Sequence, residues 1–203
     1  MITSEKDICN MALDYCNCRN ITSMDEETKE SKKCSAWYDN VRKALLMNMN
    51  ATFSIKRATL AETTNYEKVY GYDRAFALPS DLLQVLNLGN PLADEYYQIE
   101  GDYFFTNSHE KHISIRYIAD VKDVTKYDAE FCDLLALRLA EKICLPLTED
   151  VEKANYIKQL AQQKYNECST KYGRDNRIVV INKPRYRQSK IYAENYNANY
   201  PAQ

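Results

Sequence analysis

Residues 128–146, DAEFCDLLALRLAEKICLP, read as a helix with a marked start and stop. Thr125 and Asp128 carry side-chain oxygens that can accept the free amides of a first helical turn. Behind them, Phe131, Leu134, Leu135, Leu139, Ala140 and Ile143 recur at helical spacing, and Pro146, which has no amide hydrogen, is expected to close the helix. A helix with an apolar stripe must bury it against another element. What covers this stripe decides the fold.

Downstream, Thr148 with Glu149, Asp150 and Glu152 places acids at the positive end of a new helix dipole. Ala154, Ile157, Ala161, Tyr165, Cys168 and Tyr172 then keep heptad-like spacing as far as Gly173. Near the N-terminus, Ser4 and Asp7 form a capping-box pattern ahead of Ile8, Met11, Ala12, Tyr15 and Cys16, which predicts a helix over residues 4–17. Ser23 and Glu26, flanked by Asp25 and Glu27, predict a second helix over residues 25–49, its stripe built from Cys34, Trp37, Tyr38, Val41, Ala44, Leu45 and Asn48.

Between the two helical pairs the period changes. In AFALPSDLLQVLNL, residues 75–88, the turn-forming Pro79-Ser80-Asp81 separates two apolar runs. Glu100-Gly101-Asp102 separates two more and suggests a hairpin, and HISIRYIADV alternates as a half-buried strand does. Four helices that cannot bury their stripes singly are expected to pack on one another. The expected class is therefore α+β, a four-helix bundle with an inserted β domain and an extended C-terminal tail. Its parts are residues 1–50 (first half of the bundle), 51–124 (β insertion), 125–172 (second half) and 173–203 (tail).

Composition narrows the functional classes. The 203 residues are 45% hydrophobic, enough for a core, and carry a formal charge of -2, so no global charge points to nucleic acid or to an anionic membrane. No run approaches the roughly 18 apolar residues of a membrane span, and no basic leader precedes an apolar stretch at the start, so no membrane anchor is expected. The seven cysteines are an odd number spread along the chain, and are read as reduced. Tyrosine is abundant, 17 residues against five Phe and one Trp, which suits wet subunit interfaces better than a dry core.

Enzyme chemistry finds few parts. The four glycines lie too far apart for a phosphate-cradling GxxxxGK[ST] loop or for GxGxxG. His109 and His112 are the two histidines, so a His-assisted nucleophile would have to use one of them; both fall between predicted strands and read as loop residues. Cys16-Asn17-Cys18 has one intervening residue, fewer than zinc thiolate pairs use, and no second pair, so packing is the preferred account. The acids at helix starts are explained by the dipole. No catalytic residue, metal ligand or cofactor is expected. After Gly173, six basic residues are set against Asp175 and Glu194, with Tyr186 and Tyr192 interleaved. Such a segment could meet a phosphate backbone, meet an acidic protein surface, or stay solvated.

Six pieces carry a resemblance when taken in order: ICNMALDYC, ESKKCSAWYDNVRKALL, FALPSDLLQVLNL with its aromatic-rich lead, YQIEGDYFFTN, ISIRYIADVKDVTKYDAEFCDLLALRLAEKI and PLTED. Over residues 5 to about 170 the chain resembles the head-to-tail adaptor proteins of short-tailed bacteriophages, the tail tubular protein A or tail gatekeeper family. The resemblance implies a helical bundle with an inserted β domain and a non-enzymatic virion component, assembled in the host bacterial cytoplasm and placed at the head-tail junction or tail. It implies a homo-oligomeric ring, typically a dodecamer, under the portal protein. Such a ring carries the next tail or nozzle ring protein and extends the channel through which double-stranded DNA is packaged, retained and ejected, without sequence-specific binding. Two segments depart from the family: residues 47–54, where Phe53 alone keeps the aromatic pattern, and everything after Gly173.

A ring of identical subunits joins two different faces of each copy. Trp37, Tyr38, Tyr156 and Tyr165 are the aromatic candidates for those faces. In the tail, Ile178, Val179, Val180 and Ile181 are candidates for strand addition to a neighbour or to the portal, and Arg185, Tyr186, Arg187 and Tyr192 for docking beside them. The alternative reading is a nucleic-acid-binding module that uses the basic, Tyr-rich tail; a hydrolase built on His109 or His112 ranks below it.

Overall fold

The computed structural model describes residues 2–64, 71–89, 97–110 and 112–176. Among these residues four α-helices, α1 (Glu5–Tyr15), α2 (Lys29–Met49), α3 (Ala129–Thr148) and α4 (Val151–Asp175), flank six strands in chain order. The strands are β1 (Ile55–Thr63), β2 (Arg74–Ala77), β3 (Leu82–Leu88), β4 (Tyr97–Glu100), β5 (Tyr103–Thr106) and β6 (Ile113–Ala119).

The class is α+β, but the helices do not form the expected four-helix bundle. A bundle needs four helices sharing one central seam, whereas here α1, α2 and α4 each pack chiefly on α3 and little on one another. The reason lies in α3 itself. Besides the expected stripe, it buries Cys132, Ala136, Leu137 and Cys144. Leu137, two positions from both Leu135 and Leu139, stands on nearly the opposite side of the helix from them. A helix that buries apolar residues on opposite sides is a hub for more than one neighbour.

The ends of the helices show which local signals act. Ser4 caps α1 as expected: its Oγ accepts from the Asp7 amide at 3.3 Å, and an Asp7 carboxylate oxygen accepts from the Ser4 amide at 3.0 Å. α2 starts later than its acids suggest, at Lys29, with Thr28 as cap. Glu26 is captured upstream, accepting from the Thr22 and Ser23 amides and the Thr22 hydroxyl, so this segment closes as a separate turn. That turn docks on the helix through Ser31, whose hydroxyl donates to the Met24 carbonyl at 2.6 Å. Pro146 does not end α3, which runs to Thr148 and stops where Glu149 turns left-handed at φ 56°. α4 passes through Gly173 to Asp175.

All strand pairs are antiparallel, in the order β3-β6-β1-β2-β5-β4, and the sheet curls into about half a barrel. β1 makes the curl possible, since Ile55–Leu60 pair with β6 and Ala61–Thr63 pair with β2. The expected hairpin is present between β4 and β5, with Gly101 at φ 55° in the first turn position, as a II′ turn requires. The Pro79 corner does not make a hairpin. After the Leu82 amide bonds the Pro79 carbonyl at 3.0 Å, β3 crosses to the far edge of the sheet and pairs with β6. Asp81 is held from across that sheet rather than by its own turn: Lys56 Nζ donates to it at 2.6 Å and the Tyr117 hydroxyl at 3.0 Å.

Helices and sheet share one hydrophobic core, from Ile8 and Leu46 through Phe131 and Leu139 to Ile115, Phe76 and Phe104. Two polar joints lock the layers. At the first, Arg42 of α2 is fully buried, pairs with Asp120 and Asp39 at 2.6 Å each, and donates to the Val121 carbonyl at 2.8 Å. Burial disfavours its charge, but Asp120 and Asp39 outweigh that and hold its pKa above the usual arginine value. At the second, Asn176, which caps α4, donates to the Asn50 carbonyl at 2.8 Å and accepts from Arg116 of β6 at 3.3 Å. Phe53, the aromatic that remains where the sequence departs from the adaptor pattern, packs between Tyr127 and Phe131.

Candidate functional site

The four aromatic residues expected at subunit faces are placed differently. Trp37 on α2 is 39% exposed and Tyr156 on α4 is 61% exposed, although both side chains are large and apolar. Tyr165 is half-buried, with the Arg138 guanidinium 4.9 Å above its ring, and Arg138 is itself paired with Glu141 at 2.8 Å. Tyr38 is 3% exposed and belongs to the core of its own chain. Adjacent residues on a helix point about 100° apart, so the side of α2 that presents Trp37 turns Tyr38 inward.

Among the described residues five further large apolar residues are exposed: Tyr15 of α1, which the helical spacing had put in the apolar stripe, Tyr97 and Ile99 of β4, Leu145 of α3 and Val151 of α4. Leu145 and Val151 flank the turn between α3 and α4, with Tyr156 little more than one helical turn beyond Val151. The signal was an apolar residue on each side of the acidic turn Glu149-Asp150. Tyr15 donates to Asp133 at 3.2 Å, and Lys164 of α4 bonds Glu130 at 2.6 Å and Asp133 at 3.1 Å, which ties α1, α3 and α4 into one polar surface. Burial first, and Asp133 second, raise the Tyr15 pKa; the hydrogen bonds that the Lys164 ammonium donates to Glu130 and Asp133 raise that of Lys164. Tyr15 therefore stays a neutral donor and Lys164 a cation across the physiological range.

His109 and His112 are both exposed, in the connection between β5 and β6. Cys9, Cys16, Cys34, Cys132, Cys144 and Cys168 are buried thiols, and Cys18 is half-buried. Burial pushes the Cys132 thiol up to about 11 and raises those of Cys16 and Cys168, which makes them poor nucleophiles at neutral pH. Cys16 and Cys18 face different partners, the first donating to the Ala140 carbonyl of α3. Among the described residues no three of His, Cys, Asp and Glu are placed to hold a metal ion. No described helix is long and apolar enough to cross a membrane. The tail residues Ile178, Val179, Val180, Ile181, Arg185, Tyr186, Arg187 and Tyr192 lie outside the described residues.

A second surface feature lies on the sheet. A groove of about 450 Å³ runs across β3, β6 and β1, lined by the side chains of Arg57, Thr59, Asn87, Ser114 and Arg116 with Gly89 at its end. Nothing in the hydropathy of the strands announces it, because its residues share a face only through the pairing of β1 and β3 with β6.

No family model matches the chain, and no curated protein matches it.

Proposed function

We propose that this chain is the subunit of a head-to-tail adaptor ring in the virion of a short-tailed bacteriophage. In this reading copies of the chain, twelve in the form typical of such rings, assemble under the portal protein and carry the next tail ring. The ring surrounds the channel for double-stranded DNA. The role is structural and uses no cofactor.

The observation that carries the proposal is where the six resembling pieces fall. ICNMALDYC covers the buried side of α1, ESKKCSAWYDNVRKALL most of α2, and FALPSDLLQVLNL the β2-turn-β3 crossing. YQIEGDYFFTN is the β4-β5 hairpin, the fifth piece is β6 with α3, and PLTED is the turn into α4. The resemblance thus follows the packed elements in order rather than one local motif. The exposed Trp37 and Tyr156, on two different helices around the α3 hub, supply apolar contact area that a single copy leaves in water.

The test is to mix the purified chain with portal rings of the same virus and follow sedimentation. A large complex with a ring of this chain on the portal is expected. A chain that stays monomeric beside intact portal rings overturns the reading, and salt-sensitive binding of DNA by that monomer through residues 177–203 favours the nucleic-acid module instead. A chain ending at Asn176 is expected to keep the described fold and to lose portal binding.

A further inference from the structure

We infer that the groove across β3, β6 and β1 is a contact site for the phosphate backbone of duplex DNA. The choice of duplex DNA as ligand rests on the adaptor reading; the anion chemistry of the groove does not.

One cross-strand pairing in the groove is unfavourable. Arg57 of β1 and Arg116 of β6 are direct cross-strand partners, and like charges placed opposite one another destabilise a sheet. Among the described residues no carboxylate forms an ion pair with either, in contrast to Arg42, Arg74 and Arg138. The neighbouring cross-strand pair on the same face is Thr59 and Ser114, whose hydroxyl oxygens are 3.2 Å apart. An irregularity in β3 between Val85 and Asn87 sets Asn87 opposite Arg116, adding an amide to the row.

The end of the groove is also fixed. The Gly89 amide donates to the Ser114 carbonyl at 2.6 Å, and a β-carbon on Gly89 would lie 3.0 Å from that of Ser114. Glycine is what allows β3 to approach β6 so closely. On the other side the Arg116 guanidinium is held by the Asn176 side chain at 3.3 Å, a neutral acceptor that orients the arginine without cancelling its charge. Two guanidinium groups, two hydroxyls and an amide around an open groove form a donor set for phosphate oxygens.

Two absences in the lining select the class of phosphate. Among the described residues no acid lines the groove, so the anion meets no opposing charge from them, and no aromatic ring lines it, so they offer a base nothing to stack on. A site of this kind reads a backbone and not a sequence. Two arginines per subunit give a weak contact, which suits a channel that must let DNA move, because each neutralised phosphate adds to affinity through counterion release.

The test is a titration of the full chain, labelled with nitrogen-15, by a short DNA duplex and separately by inorganic phosphate at equal phosphate concentration. Duplex is expected to shift the amides of Thr59, Gly89 and Ser114 and the side-chain signals of Arg57 and Arg116. In R57Q/R116Q those shifts should disappear, and the slope of log affinity against log salt should fall by roughly 2. Shifts confined to residues 177–203, no shift at the groove, or equal shifts with inorganic phosphate would each overturn the proposal. Portal binding by R57Q/R116Q is read in parallel: retained binding with a groove that is silent in the parent chain removes this inference and leaves the adaptor reading standing.

Discussion

Asp7 shows how much one side chain settles at the start of the chain. Its carboxylate accepts from the Thr3 and Ser4 amides and the Thr3 hydroxyl, and the Thr3 amide above all holds its pKa down at about 2, against a usual value of 3.8. A carboxylate with a depressed folded-state pKa contributes stability that is complete above its unfolded value. The contribution declines as pH falls from about 4 through about 2, so the first turn of α1 is expected to loosen in that window. A carbon-detected titration of Asp7 with amide exchange at Thr3 and Ser4 checks it, and an Asp7 midpoint near 4 would contradict it. Tyr38 offers the reverse case. Its ring is buried and its hydroxyl has no hydrogen-bond partner among the described residues, so burial raises its pKa first and the Tyr127 hydroxyl second. Tyr38→Phe should be neutral or should stabilise by about 1 kcal/mol, read as a rise in Tm, whereas loss of a partnered hydroxyl would lower it.

At the scale of elements, α3 determines the arrangement of the other helices. Leu137 decides between two architectures, because a bundle with one seam leaves it on the outside and a hub buries it. It is 6% exposed. Leu137→Ala is therefore expected to cost about 2–5 kcal/mol in denaturant unfolding, like Leu135→Ala on the other side of the helix. A cost below about 0.5 kcal/mol, the size usual for surface positions, would argue against the hub. The end of α3 carries a related lesson. Pro146 sits in the last turn, and the chain leaves the helix at Glu149, a non-glycine residue in the left-handed region. Glu149→Gly removes the steric cost of that conformation and should be neutral or stabilising by about 1 kcal/mol in the same measurement.

For the molecule as a whole, the relation of sheet to helices rests on the joints at Arg42 and Asn176. Arg42 is buried with its charge matched by Asp120, so Arg42→Met leaves a largely buried carboxylate without its cation. Breaking such a pair costs about 3–5 kcal/mol, and adding Asp120→Asn should recover part of it. Thermal unfolding of the single and double variants gives the answer; equal loss in both would show that the pair does not couple the layers. A subunit whose two layers are locked in this way can pass load from one ring to the next, which is the mechanical demand of the adaptor role proposed above.

Much of this was legible in the chain because it is local. Ser4 with Asp7, Asp128 ahead of Phe131, and Gly101 between two aromatic-rich runs each act on backbone only a few residues away, so the starts of α1 and α3 and the β4-β5 hairpin follow from sequence. The apolar spacing of α2, α3 and α4 likewise named most of the apolar residues those helices bury. What the sequence could not decide was how nearly independent elements meet. The periodicity of α3 revealed one stripe, but whether Leu137, Ala136 and Cys144 are also covered depends on α1 and α2, far away in sequence, and on how α4 folds back after its turn. The corner at Pro79 announced a reversal, yet its path to β6 depends on Lys56 and Tyr117 reaching Asp81 across the sheet. The groove is the extreme case: Arg57, Asn87 and Arg116 acquire a common surface only when the strands pair. Local hydrogen bonds and hydrophobic periodicity determined the elements, and long-range burial, which is non-directional, decided their arrangement.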